Sequence, residues 1–174
     1  MKALVAAVML PVAIGGQTAP PAQVIDPAWL MVDSSTKTAT FKLIAGLTGL
    51  NGALNFNGFR DGGLTLTVPL GWNVVMKFSN HDGDLPHSAE VIANTKPLPY
   101  GPVDAAFDRA VTIRLAQGLE AGAEDDIRFV ASKAGSFIVF CAVPGHGAAG
   151  MWIRFRVSES AGRPGLAATP AAGS

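Results

Sequence analysis

One cysteine in 174 residues excludes an intramolecular disulfide, so bridges say nothing about the compartment in which the chain works. Histidine is nearly as scarce: three residues leave no supply for the additional His-rich centres that a multi-copper enzyme needs. Charge of one sign is missing as well. The 13 basic residues balance 13 acidic ones, and no basic run occurs that would neutralise a series of phosphates, which argues against a nucleic-acid partner. There is no tandem repeat, no phosphate-cradling glycine motif and no carboxylate pair at a spacing suited to acid–base catalysis. What remains is 49% hydrophobic and 15% charged, the composition of a globular chain, and the length suits one domain with a substantial core.

The single cysteine stands in the segment FCAVPGHGAAGMW, residues 140–152, together with His146 and Met151. A thiolate, an imidazole and a thioether thus lie on one Pro/Gly-shaped loop between two apolar runs, where turn chemistry can fold them back towards one point. With one more imidazole this is the trigonal Cys–His–His set with a weak axial Met that serves blue copper. It satisfies neither Cu(I) nor Cu(II) fully and so exchanges one electron with little rearrangement. Zinc is a poorer fit, because a structural zinc site takes four strong donors and gains little from a thioether. A Cys–His nucleophilic pair lacks an orienting third group and an oxyanion hole.

The second imidazole must come from His81 or His87. The run Asn80–Asp84 reads as an exposed turn after a half-buried strand, whereas Pro86–Ile92 opens the next strand, and a sheet fixes side-chain direction. The metal ligands expected on these grounds are His87, Cys141, His146 and Met151.

Short β-type runs with Gly, Pro and Asn punctuation recur at Trp29–Val32, Thr38–Ala45, Leu64–Val68, Asn73–Ser79, Ser88–Ala93, Asp126–Ala131, Ser136–Phe140 and Met151–Val157. They predict an all-β Greek-key sandwich or barrel of about eight strands. Leu98–Glu124 interrupts the rhythm and reads as a short, partly helical insertion over one end. At the start, Met1-Lys2 and an apolar run to Ile14 read as an export signal or N-terminal anchor over residues 1–20; the run is short for a membrane span, which needs on the order of 20 residues. Residues 21–158 form the expected domain, and 159–174, rich in Gly, Ala, Pro and Ser, the expected disordered tail.

FCAVPGHGAAGMW together with LNFNGF (Leu54–Phe59) resembles the sulfocyanin family of blue copper proteins, within the cupredoxin superfamily, over roughly residues 27 to 158. Ala142 stands where that family's pattern has Gly and Leu54 where it has Phe; neither departure removes a donor atom. The resemblance implies a cupredoxin fold, one mononuclear type 1 copper cycling between Cu(I) and Cu(II), and a monomeric, non-enzymatic electron carrier. The carrier would be exported to the periplasm or outer membrane face, with redox proteins such as a haem–copper terminal oxidase or cytochrome as partners. Ser88 follows the first ligand where many cupredoxins have Asn; in the related rusticyanins a Ser occupies that place, which points to a high potential. The competing class is a cupredoxin-like copper chaperone or assembly protein, which would offer an exposed Met- or His-rich cluster; the methionines here are scattered.

Overall fold

Alternation of apolar and polar side chains decides the architecture. In the computed structural model, which describes residues 23–169, nine strands form two sheets packed face to face. After a 3-10 turn at Pro27–Trp29, capped by Asp26, the strands are β1 (Leu30–Asp33), β2 (Thr38–Ala45), β3 (Leu64–Pro69), β4 (Asn73–Asn80), β5 (Glu90–Ala93), β6 (Glu124–Val130), β7 (Gly135–Phe140), β8 (Trp152–Ser158) and β9 (Gly165–Ala168). One sheet has the order β1-β2-β4-β6, the other β5-β7-β8-β3-β9. The pairs β2–β4 and β3–β8 are parallel, so each sheet mixes both directions, as a Greek key requires when the chain crosses between layers. The result is a two-layer mixed β-sandwich, the architecture expected from the strand rhythm.

Along β2, Ala39, Phe41, Leu43 and Ala45 point inward, and along β8 Ile153, Phe155 and Val157 do. Burying each large apolar side chain contributes roughly 1.5–3 kcal/mol. Phe155 meets Phe107, Phe129 and Phe137 with ring centroids 6.2, 5.7 and 6.4 Å away, so one contributor to the aromatic centre comes from the segment between β5 and β6. The outer face of β7–β8 carries a second apolar cluster, Ile92, Ile138, Phe140, Ala142 and Trp152, partly covered by Leu98 and Leu115.

Two expectations need correction. The segment Leu98–Glu124 contains no helix. Pro99 and Pro102 lack N–H donors, Arg109, Arg114, Gly118 and Gly122 have positive φ, and the free edge of β5 offers a better use for the backbone. Ala106 N–H donates to Val91 O and Thr112 N–H to Ala89 O, Val91 N–H donates to Ala110 O, and His87 and Leu119 exchange both bonds. The segment is a strap that closes a sheet edge. The tail expected to be disordered from 159 contains β9, paired antiparallel with β3 at Leu64↔Ala168 through Thr67↔Gly165. An unpaired edge of β3 needs only backbone groups, which a Gly/Ala segment supplies as well as any other. Residues 1–20, expected as signal or anchor, and the last five residues lie outside the described part.

Candidate metal centre

Three elements converge at one end of the sandwich: the turn before β5, the end of β7, and the loop from β7 to β8. His87 and Cys141 are fully buried and His146 half-buried. One donor atom from each lies within 4.8 Å of the others. Cys141 Sγ is 3.6 Å from His146 Nδ1 and 3.9 Å from His87 Nδ1, and the two Nδ1 atoms are 3.3 Å apart. An ion with metal–sulfur bonds of about 2.3 Å and metal–nitrogen bonds of about 2.0–2.1 Å, in trigonal geometry, sets S–N near ~3.7 Å and N–N near ~3.5 Å. The triangle therefore fits a single copper ion. Met151 is fully buried beside it: Cys141 N–H donates to Met151 O, and Met151 N–H to His146 O. His81, the alternative imidazole, is exposed.

Local folding explains why the donors point inward. The loop 141–151 is tied at its base by those two bonds, and Gly145 N–H reaches across to Tyr100 O. Gly150, at φ 101°, turns the chain into Met151 where a side chain would be strained and would meet Asp61. Ser88 joins the two ligand segments: its N–H points at Cys141 Sγ at 3.4 Å and its hydroxyl accepts from Ala142 N–H at 3.1 Å. The LNFNGF segment is not at the metal. Asn55 and Asn57 are buried and satisfy backbone groups of Lys42, Ile44, Thr48, Leu50 and Gly58, while neighbouring Asn51 donates to Ala149 O, propping the ligand loop from behind.

Asp82 is the residue that sequence reasoning missed, because Asn-His-Asp-Gly-Asp reads as a solvated turn. Asp82 is 6% exposed, and its Oδ2 accepts from His87 Nε2–H at 2.9 Å. That bond leaves the lone pair of neutral His87 on Nδ1, facing Cys141. Burial works against the Asp82 carboxylate, yet bonds from Asp84 N–H, His87 and Leu85 N–H outweigh it and hold the group below the usual carboxylate range. Asn80 secures the turn, accepting from Asp82 N–H and donating to Leu85 O and Leu119 O. Burial lowers both His87 and His146, so each imidazole is available as a neutral ligand, and it raises the Cys141 thiol, whose proton a metal ion would displace.

Comparison with known proteins agrees with this geometry. The family model "Sulfocyanin (SoxE) domain" matches residues 27–167. Sulfocyanin of Sulfolobus acidocaldarius is 28% identical over 138 residues, covering 75% of this chain and 69% of the relative. Rusticyanin from Thiobacillus ferrooxidans superposes with a TM-score of 0.51 at 23% identity, over 75% of this chain and 88% of the other. Auracyanin A, a "blue" copper protein from Chloroflexus aurantiacus, superposes with a TM-score of 0.50 at 18% identity, over 70% and 99%.

Proposed function

Since the chain belongs to the sulfocyanin family of type 1 copper cupredoxins, we propose that it carries single electrons in an exported respiratory chain, with His87, Cys141, His146 and Met151 as the copper ligands. The observation that carries this reading is the Sγ–Nδ1–Nδ1 triangle of 3.6, 3.9 and 3.3 Å. Bound copper would supply a one-electron couple between Cu(I) and Cu(II). The chain's own part is rigidity and access. Asp82 fixes the ring angle of His87, Ser88 N–H and the strap hold the thiolate's surroundings, and the fully buried Cys141, His87 and Met151 keep water away from the donors.

Half-buried His146 is the ligand nearest to solvent, on a loop flanked by exposed Tyr100 (73%) and Leu50 (40%). A weakly charged rim of that kind suits brief encounters with a redox protein such as a cytochrome or haem–copper oxidase, where release matters as much as affinity. Three buried ligands disfavour the chaperone reading, since ready exchange of a metal needs exposed donors. A single mononuclear one-electron site suits a carrier better than an enzyme. Export rests on the Met1–Ile14 pattern, and mass analysis of the native protein tests whether that segment is removed.

The test is the visible spectrum of the copper-loaded, oxidised protein. An intense thiolate-to-Cu(II) band near ~600 nm is expected and its loss in Cys141→Ser; a blue Cys141→Ser protein would overturn the ligand set. Reversible one-electron voltammetry of the same sample, and its oxidation by membranes containing the terminal oxidase, then separate a carrier from a static copper binder.

A further inference from the structure

The outer face of the β7–β8–β3 layer is apolar at one end and basic at the other. Along β8 the outward positions are Trp152, Arg154 and Arg156. Beyond the apolar cluster lies a groove of about 660 Å³ whose charged lining is Lys96, Arg154, Arg156 and a single acid, Glu159. A second hollow of about 340 Å³ shares Asn94, Lys96 and Trp152 with it and extends to Ala148 on the ligand loop; its one acid, Asp61, is already engaged by Arg60 at 2.6 Å. The result is one continuous trough from the ligand loop to Ser160.

On the other sheet Asp126 of β6 is already paired with Lys77 and Arg128, whereas the trough sets three cations against one acid, a local excess of positive charge. Such an excess attracts and orients an anionic partner before contact. The Arg154 guanidinium lies 5.7 Å over the Trp152 ring and also donates to Gly62 O, so this cation is held in place without a carboxylate. Lys96 and Arg156 are exposed. Trp152 follows Met151 directly and pairs with Phe140, the residue before Cys141, so an occupant touching Trp152 sits one residue from one candidate copper ligand and across one strand pair from the neighbour of another.

We propose that this trough docks an acidic, extended segment of a partner protein, giving the partner a second approach to the metal centre besides His146. The cations line a groove, a shape that suits an extended chain better than a flat surface. Docking goes beyond the carrier reading, and it is tested on the copper-free protein so that either can fail alone.

The experiment titrates a decaglutamate peptide into the isotope-labelled, copper-free protein and follows backbone amide shifts. Shifts at Asn94–Lys96 and Trp152–Ser160 are expected, weakening as salt rises towards about 0.15 M, where screening acts within about 8 Å. The double variant Lys96→Glu, Arg156→Glu should bind about tenfold more weakly, whereas Lys133→Glu, outside the trough, should bind as the parent does. Both changed residues are exposed, and the amide spectrum itself reports whether the variant is folded. Shifts confined to Val143–Ala149, or a double variant that binds unchanged, overturn the proposal. Co-sedimentation with phosphatidylglycerol vesicles that requires Lys96 and Arg156, without peptide binding, overturns it in favour of a membrane surface.

Discussion

Asp82 and Glu90 are two buried carboxyl groups on either side of His87, and their surroundings shift them in opposite directions. Asp82, 6% exposed, collects bonds from His87 and two backbone N–H groups and stays ionised below the usual range. Glu90, fully buried, accepts only from Val103 N–H at 3.3 Å, and its Oε1 has no partner among the described residues. Burial, reinforced by repulsion from Asp104, raises Glu90 to about 7. Desolvation alone therefore does not decide the charge of a buried acid; the supply of donors does. In the turn 80–87 the chain folds back on the carboxylate. Under the strap the acid finds a single backbone N–H, from Val103, and a second carboxylate nearby.

Replacing Asp82 should produce the largest effect. Asp82→Leu leaves the His87 Nε2–H and two backbone donors unpaired, which should cost about 3–5 kcal/mol in unfolding free energy and lower copper affinity roughly 10–100-fold. Asp82→Asn keeps an acceptor and should retain most of the stability while raising the reduction potential, because an anion that favours Cu(II) is removed. Denaturant titration, copper competition and voltammetry check the pair; an unchanged affinity in Asp82→Leu would reduce Asp82 to a turn residue.

Glu90 should show the opposite pH slope. Its folded pKa lies above the ordinary value of 4.5, so stability is full below that value and falls as pH rises through about 7, by on the order of 3 kcal/mol. Asp82, depressed below 3.8, contributes stability above that value that is lost as pH falls. Urea unfolding of Glu90→Gln should match the parent at pH 5 and exceed it at pH 8. Equal stability of variant and parent at both pH values would mean that Glu90 is not held neutral.

Smaller effects test the strap. At Gly118, φ 78°, an added Cβ would lie 2.9 Å from His87 N, so Gly118→Ala should cost about 1–3 kcal/mol and shift the visible band by moving His87. A band that stays put while stability falls would confine the strap's role to edge protection. Ser88→Ala removes the acceptor for Ala142 N–H and should cost about 1 kcal/mol with little change in copper affinity.

The ligand loop was legible because three donors of distinct chemistry fall within eleven residues, Cys141–Met151, bent by glycine and proline. His87 followed from the scarcity of histidine and from the strand signal after Pro86. Most strands matched within one or two residues, since their period-2 pattern is local. The exceptions share a cause. The strap and β9 owe their form to pairing with β5 and β3, and a sequence window around either segment contains nothing of the edge it pairs with.

The sequence by itself determined the chemistry available at the site, a thiolate, two imidazoles and a thioether, because donor identity belongs to side chains and short loops constrain their neighbours. Only the tertiary structure decided which carboxyl is charged, which face is basic and what covers the free edge of β5. Those properties depend on how much solvent is excluded and which donors arrive from distant segments, and neither quantity is a property of any one stretch of chain.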